Sequence, residues 1–269
     1  MVKIDSVNRQ RITLTKLLPF VVLWLLIPLI TQPNIWSSLQ ASDQTKQFEI
    51  QGVTPSLSLA FVPHESFLDA PAGFTVRSLG GTLFFTQRGV SFSQPYYPEG
   101  DEHSSSLANP LHIQFAGANP YPTIEGIDPL AGTINDFSGN DPTQWQIDLP
   151  TFAGIAYIDL YPGIDLYYDG SQGRLKSTYV IAPNADPSRI AWSYAGAEEV
   201  EIDAQTGDLL ITLTLTETGE TYQLREQAPM AWQEIHGKRV PVEAEYVIRG
   251  KQVKVSLGDY KSRYGLRIF

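Results

Sequence analysis

Short apolar or alternating runs follow one another from Phe48 to the end of the chain, separated by clusters of Gly, Pro, Asn and Asp. Alternation over about 4–8 residues is typical of half-buried strands, and no helical stripe of three turns or more is present. Strands that recur about every ten residues fit a sandwich or closed barrel better than alternating strands and helices. We therefore predict an all-β, antiparallel β-sandwich with long loops. The predicted strands are Ser56–Val62, Phe74–Ser78, Thr82–Gln87, Gly89–Gln94, Leu111–Ala116, Ala153–Leu160, Ile164–Asp169, Leu175–Ile181, Ile190–Tyr194, Val200–Ile202, Leu209–Leu215, Thr221–Glu226, Met230–Ile235, Lys238–Ile248 and Gln252–Leu257.

Turn signals in the C-terminal third predict successive hairpins. Each signal places Gly, which adopts positive φ without steric cost, between two apolar runs. The sequence therefore predicts a C-terminal meander of antiparallel hairpins. Leu209–Leu215 alternates only in its second half, which indicates that one end of this strand is buried on both faces. The four signals are Asp203–Asp208, Glu217–Glu220, His236–Gly237 and Arg249–Gly250.

The N-terminus has the three zones of a secretory signal: a basic stretch, an apolar run from Leu17 to Ile30 and a polar exit. The apolar run is shorter than the roughly 20 residues of a spanning helix, which favours cleavage near Ala41. An uncleaved N-terminal membrane anchor and a buried core helix are the alternatives. We expect a signal peptide or anchor over residues 1–41 and a β-sandwich domain over residues 42–269. A long loop over residues 95–110 is an insertion or a boundary between subdomains.

Composition limits the partners. The formal charge of −10 comes from 29 acidic and 19 basic residues, and such a surface disfavours binding to nucleic acid. Only the N-terminal segment is expected to contact a membrane. Cysteine is absent, which excludes disulfides and thiol catalysis. We expect a protein secreted from the cell or held in the cell envelope.

Two acidic clusters are candidates for chemistry. Asp136, Asn140 and Asp141 offer hard oxygen ligands for Ca²⁺, but Asx turns explain the same residues without metal, and we favour the turns. The second cluster consists of Asp159, Asp165 and Asp169, which invites comparison with the paired carboxylates of glycosidases. Asp165 and Asp169 lie about 13 Å apart along one strand, too far for such a pair, so that only Asp159 from the neighbouring strand could complete one.

Aromatic residues could form a platform for a sugar or a partner surface. Alternation places Tyr167 and Tyr168 on opposite faces of their strand, so we expect one in the core and one outside. Pro162-Gly163 precedes this strand and predicts a type II turn with positive φ at Gly163. The candidate platform residues are Trp145, Tyr157, Tyr161, Tyr167, Tyr168 and Trp192.

The four histidines are too scattered in the sequence to indicate a zinc site. They are His64, His103, His112 and His236. We find no serine nucleophile elbow and no phosphate-cradling glycine loop. No catalytic, cofactor-binding or metal-binding residue is therefore assigned.

A series of short motifs carries a family resemblance from Leu111 to Tyr260. The motifs include Gly132-Thr-Ile-Asn135, Gly139-Asn-Asp-Pro142, Trp145, Leu149-Pro-Thr-Phe-Ala153, Tyr161-Pro-Gly-Ile-Asp-Leu166, Ala182-Pro183, Ala185-Asp-Pro187, Gly196-Ala197, Trp232-Gln-Glu234 and Val240-Pro-Val242. In this order they resemble an uncharacterised bacterial extracellular domain found N-terminal to β-propeller repeats of the SBBP type. Where such relatives carry two acidic residues after the Tyr-Tyr strand, this chain has Leu175-Lys-Ser-Thr-Tyr179.

The resemblance implies a β-domain of unknown function in an exported protein, either as the first part of a longer chain or as a stand-alone module. We expect a non-enzymatic module for interaction or assembly at the cell surface, with protein or glycan as partner. The alternative is an extracellular carbohydrate-binding or carbohydrate-active protein that uses the aromatic and acidic residues near Ile155–Gly170.

Overall fold

The structure is a computed structural model that describes residues 48–49, 58–64, 73–78, 81–93, 95–96, 106–107, 110–137, 143, 145–171, 173–214 and 221–269. Residues 44–269 form one of two compact units of the chain. The other unit, residues 1–43, contains the predicted signal segment and lies outside the described residues. Among the described residues, no helix has both the length and the apolar character needed to cross a membrane.

Strands make up nearly all regular structure of the described residues, which confirms the all-β prediction. A 3-10 turn at Pro187–Arg189 begins with the Asp186 carboxylate accepting the Ser188 N–H. The strands are β1 Phe48–Glu49, β2 Val62–His64, β3 Gly73–Ser78, β4 Gly81–Thr86, β5 Gly89–Ser93, β6 Pro95–Tyr96, β7 Ser106–Leu107, β8 Leu111–Phe115, β9 Thr123–Asp136, β10 Gln146–Tyr161, β11 Ile164–Asp169, β12 Lys176–Ile181, β13 Ala191–Ala195, β14 Glu199–Ile202, β15 Leu209–Thr214, β16 Thr221–Glu226, β17 Ala231–Ile235, β18 Lys238–Val242, β19 Ala244–Arg249, β20 Gln252–Leu257 and β21 Leu266–Ile268.

Two large antiparallel sheets face each other. The eight-stranded sheet has the order β19-β20-β13-β8-β5-β4-β3-β2, and the seven-stranded sheet has the order β18-β17-β21-β12-β11-β10-β9. Aromatic side chains from both sheets meet between them. Their pairs are Phe85–Tyr168, Phe115–Tyr157 and Tyr179–Trp192, with ring centroids 5.0, 5.5 and 6.4 Å apart. The predicted antiparallel β-sandwich is therefore confirmed.

Tyrosines fill much of this core because their hydroxyl groups find partners across it. Tyr157 donates to the Thr86 carbonyl at 3.1 Å, and Tyr161 donates to the Ala191 carbonyl at 2.8 Å. Both bonds join the two large sheets. A buried hydroxyl without a partner costs about 1–3 kcal/mol, so these bonds make a tyrosine core tolerable.

A four-stranded sheet of order β1-β16-β15-β14 adds to the core through β15 and β16. Leu209, Leu210 and Ile211 at the start of β15 are all buried, which confirms that this end is covered on both faces. The sheet joins the eight-stranded sheet through a hydrogen bond from the Tyr194 hydroxyl to the buried Glu226 carboxylate.

The four predicted C-terminal hairpins all pair as expected, but they are shared among three sheets. β14, β15 and β16 form a continuous meander in the four-stranded sheet. The prediction of one strand over Lys238–Ile248 is wrong, because Glu243 separates β18 in the seven-stranded sheet from β19 in the eight-stranded sheet. The Glu243 carbonyl accepts the Gly258 N–H at this crossing.

Other strand bounds differ from the prediction. Ser58–Ala60 are described outside any strand, since Phe61 only forms an isolated bridge with Phe152 before β2 begins. β9 and β21 were not predicted. β6 and β7 pair within the predicted loop 95–110, whose other residues lie outside the described ranges except Pro110.

Candidate functional site

The six candidate platform residues do not form one surface. Tyr157, Tyr161, Tyr168 and Trp192 are buried in the core, so their flat faces are unavailable to a ligand. Tyr167 lies on the outer face of the seven-stranded sheet, whereas Tyr168 points inward, as alternation predicted. Trp145 is exposed just before β10 and contacts Phe137 edge-on.

The first acidic cluster is only partly described. Asp136 accepts a hydrogen bond from the Arg77 guanidinium at 2.9 Å, so this carboxylate already has a cationic partner. Asn140 and Asp141 lie outside the described residues. Across the described part of the chain, no group of three or more His, Asp or Glu side chains is placed to hold a metal ion.

The carboxylates of the second cluster stabilise the backbone. Asp165 accepts the N–H of Asp159 at 2.8 Å, where the β10 register shifts and Asp159 has a φ of 51°. Asp169 accepts the Ser171 N–H at 2.7 Å in the turn after β11. Both carboxylates therefore accept hydrogen bonds from backbone N–H groups of a turn and a bulge. This supports a structural role for them over a glycosidase pair.

Two histidines that are distant in sequence line one depression. His64 and His112 lie on the outer face of the eight-stranded sheet around a hollow of about 460 Å³, with Arg88 at its margin. The Ser91 hydroxyl and His112 Nδ1 are 2.8 Å apart because these residues are direct cross-strand partners. The sequence spacing of the two histidines gave no indication of this shared depression. His236 lies in a turn, and His103 is outside the described residues.

The strongest candidate site is a row of cationic and aromatic side chains on the outer face of the seven-stranded sheet. We call it the cationic–aromatic band. Trp232 and Arg267 are direct cross-strand partners on β17 and β21. Leu266 and Ile268 point into the core, which directs Arg267 and the following Phe269 outward. The band consists of Lys176, Arg239, Trp232, Arg267 and Phe269.

Each cation of the band lies over an aromatic ring. Trp232 and Phe269 stack with centroids 6.1 Å apart and an interplanar angle of 19°. Arg239 and Arg267 lie 4.4 and 5.6 Å from the centre of the Trp232 ring, and the Lys176 ammonium lies 5.0 Å from that of Phe269. Such contacts contribute about 0.5–1 kcal/mol each at exposed sites, and they hold the side chains in place.

None of the three cations has a carboxylate oxygen within 4 Å among the described residues. Asp169 and Glu234 are the cross-strand partners of Lys176 and Arg239, but no ion pair forms. The aromatic faces fix the cations without neutralising them. The band can therefore attract an anionic group by charge and contact a flat or apolar group by its rings.

A depression of about 360 Å³ adjoins the band. Tyr167, Thr178 and Val180 form part of its lining, together with Lys176 and Phe269. Asp128 and Asp169 line it as well, so the depression offers both carboxylate and cationic groups. A ligand with flat rings and several hydroxyl or charged groups has the chemistry to fit such a lining.

Burial raises the pKa of the core tyrosines, and these groups stay neutral at ordinary pH. Desolvation raises the pKa of Tyr161 to about 12, although its hydrogen bond to Ala191 opposes the shift. Desolvation likewise raises the pKa of Tyr157, Tyr179 and Tyr194 well above the usual value. These groups serve the fold, since all of them are buried in the core.

Sequence reasoning missed the band. In the sequence, Trp232 was noted only as part of a family motif, and Arg239, Arg267 and Phe269 were not identified as candidate site residues. An available signal is the alternation Trp232-x-Glu234 and Arg267-x-Phe269, which places aromatic and charged residues on one face of each short strand. The sheet order that joins the two strands is not visible in the sequence.

Comparison with known proteins supports a domain of unknown function, which is the coarser part of what the motif analysis predicted. No curated protein and no solved structure matches the chain. The family model described as Domain of unknown function (DUF7948) matches residues 61–268, from the bridge that precedes β2 to the end of β21. The chain therefore belongs to the domain-of-unknown-function family DUF7948.

Proposed function

We propose that this protein is an exported, non-enzymatic β-sandwich module for interaction or assembly at the cell surface, and that the cationic–aromatic band is its contact surface. The observation that carries the proposal is that Lys176, Arg239 and Arg267 are held over Trp232 and Phe269 and are free of carboxylate partners among the described residues. Aromatic and arginine side chains are the groups most enriched at the energetic centres of protein interfaces.

Export and the wider protein context are parts of the same proposal. The basic, apolar and polar zones of residues 1–41 support export through a signal peptide or retention by an N-terminal anchor. The ordered motifs from Leu111 to Tyr260 support a role as the domain that precedes SBBP-type propeller repeats in bacterial proteins. Cell fractionation combined with N-terminal sequencing of the recovered protein tests export; recovery of an intact N-terminus in the cytoplasm would contradict it.

The contact role is tested by binding the purified full chain to isolated cell envelopes. We expect Arg267→Glu to weaken binding by about tenfold or more, because reversing a charge at the centre of a contact surface costs on the order of 1.4 kcal/mol or more. Arg249→Glu makes the same charge change at an exposed position of β19, away from the band, and serves as the matched control.

Thermal unfolding of both variants verifies that they are folded. Equal binding by wild type, Arg267→Glu and Arg249→Glu would overturn the assignment of the band. An equal loss in both variants would show that only net charge matters, which also contradicts a defined contact surface.

A second candidate function is carbohydrate binding, which the position of Tyr167 favours. Its ring lines the depression beside Lys176 and Asp169 on the outer face, where a sugar ring can stack on it and reach charged groups. A glycan array with wild type and Tyr167→Ala tests this function. Tyr121→Ala is the control, since Tyr121 is 78% exposed and is not part of the depression lining. Binding that is lost only in Tyr167→Ala supports a sugar site, and a glycan signal equal in all three proteins contradicts it.

A further inference from the structure

A two-stranded ribbon extends beyond the sandwich at the other end of the seven-stranded sheet. We define the ribbon as residues 129–137 of the β9 side and 145–150 of the β10 side. Leu149 pairs with Ile134 and Pro150 with Thr133. β11 pairs with β10 only from Gly154 onward, so the β10 side of the ribbon pairs with β9. Its register shifts twice, which gives the ribbon its own twist.

Large apolar side chains are concentrated on this ribbon. Of the nine such side chains that are exposed among the described residues, five belong to it. Two of them, Phe137 and Trp145, are in edge-on contact with centroids 5.3 Å apart. Phe137 and Trp145 thus form a contiguous exposed apolar pair, and such a patch on a monomer marks a surface that contacts a partner. The five are Leu130, Ile134, Phe137, Trp145 and Ile147, with exposed fractions of 38, 38, 56, 42 and 66%.

The charge around the ribbon selects the partner. β9 and the ribbon together contain no lysine or arginine, whereas they carry the four carboxylates of Glu125, Asp128, Asp136 and Asp148. The ribbon itself carries Asp136 and Asp148, and Asp136 is paired with Arg77. Two ribbons that met face to face would bring these acidic segments together. A partner for the ribbon therefore needs cationic groups beside aromatic or apolar ones.

The cationic–aromatic band of a second copy has that composition. Its residues span four adjacent strands, β12, β21, β17 and β18, which corresponds to about 14 Å across the sheet. A two-stranded ribbon is about 10 Å wide with its side chains, so it can lie across the band. Lys176, Arg239 and Arg267 then face an acidic segment, and Trp232 and Phe269 face exposed apolar side chains.

We infer that the ribbon of one copy docks on the cationic–aromatic band of a second copy. The inference rests on the proposed function, since it uses the same band as contact surface and adds the identity of the partner. The contact is heterologous, because the ribbon of one copy meets the band of the other. A pair therefore has one unoccupied band and one unoccupied ribbon, which can each bind a further copy. Such contacts build open, head-to-tail chains unless the rotation between copies closes a ring.

The test uses two variants of the full chain that each lack one surface. The ribbon variant is Phe137→Ser with Ile147→Ser, and both positions are more than half exposed, so the folded domain loses little packing. The band variant is Arg267→Glu. Sedimentation velocity at about 100 µM detects contacts of micromolar Kd, and it is run at low and at high salt.

We expect the wild type to form oligomers whose size grows with protein concentration and shrinks at high salt. Each variant alone is expected to be monomeric, with at least tenfold weaker association. An equimolar mixture of the two is expected to form dimers and nothing larger, because the intact ribbon of the band variant meets the intact band of the ribbon variant, which leaves no second functional pair. Tyr121→Ser and Arg249→Glu remove an exposed aromatic and a cation elsewhere, and they are expected to assemble like the wild type.

Several results overturn the inference. A monomeric wild type excludes self-docking, and so does association that persists in both single variants, as contact through the apolar N-terminal segment would produce. A mixture that stays monomeric excludes the pairing of ribbon with band. If self-assembly fails while envelope binding still depends on Arg267, the proposed function stands. The partner of the band is then an anionic molecule other than this chain. If both fail, the proposed function falls as well.

Discussion

Gly163 offers a prediction whose magnitude follows from the structure. It occupies the turn between β10 and β11 with a φ of 72°, which confirms the positive φ predicted from Pro162-Gly163. A non-glycine residue in this left-handed region costs about 1–2 kcal/mol. A side chain here would also meet the protein, because its Cβ would lie 3.0 Å from the Ala185 Cβ and 3.7 Å from that of Ala182.

Ala185 has little freedom to retreat. Its N–H donates to the Ala182 carbonyl at 3.1 Å, and the Ala182 N–H donates to the Gly163 carbonyl at 2.9 Å, so the two turns are bonded to each other. We expect Gly163→Ala to lower the free energy of unfolding by about 2–3 kcal/mol, from the left-handed φ and the close contact together. Gly163→Val should cost about 3–4 kcal/mol, since a β-branched side chain is a poorer fit to positive φ.

Gly250→Ala separates the two contributions. Gly250 also has a positive φ, 63°, but nothing lies within 4 Å of its virtual Cβ, so only the backbone term of about 1–2 kcal/mol applies. Urea unfolding monitored by circular dichroism gives the three values. If Gly163→Ala costs no more than Gly250→Ala, the contact with Ala185 has no energetic role. If Gly163→Val has the same free energy of unfolding as the wild type, Gly163 does not adopt the left-handed conformation.

Two further predictions concern the buried polar groups. Tyr194→Phe removes the hydroxyl that donates to the buried Glu226 carboxylate. Urea unfolding should therefore show that the free energy of unfolding falls by about 1–3 kcal/mol. A decrease no larger than that caused by Tyr121→Phe, at an exposed position, would contradict the bond. Burial also raises the pKa of Tyr161 and of Tyr222 to about 12, whereas an unfolded tyrosine titrates near 10. The unfolded chain therefore loses protons first, and stability that is complete below pH 10 should fall above it, by up to about 1.4 kcal/mol per pH unit for Tyr161 and by less for the partly exposed Tyr222. Tyrosinate absorbance of the buried groups should appear together with loss of the circular dichroism signal; full ionisation near pH 10 in the folded protein would refute this.

The sequence is most informative where a strand is half buried. β11 and β16 were predicted with their observed bounds, because one face of each meets the core and the other meets a more polar surface. β9 was missed for the opposite reason. Its 14 residues include Gly126, Pro129 and Gly132, which are turn signals, and all 14 are exposed or half-buried. Pairing with β10 makes this segment a strand, and local alternation carries no trace of that pairing.

The candidate site depends still more on tertiary structure. Alternation correctly separated Tyr167 from Tyr168, since faces follow from a period of two. It could not unite Lys176 with Trp232, which are separated by more than fifty residues. They lie on one band because β21 inserts between β12 and β17, and sheet order of this kind is a long-range property of the fold.

β21 therefore links the stability of the domain to its contact surface. The exposed fractions of Leu266 and Ile268 are 2% and 0%, while Arg267 between them is exposed and lies at the centre of the band. Fully burying two such aliphatic side chains contributes about 3–6 kcal/mol, enough to fix a three-residue strand in place. The band is consequently held by the core and not by a loop, and a contact surface fixed in this way loses little entropy when a partner binds. Outward substitutions on β21 should for this reason change binding with little change in stability, whereas inward substitutions should remove the strand and the band together.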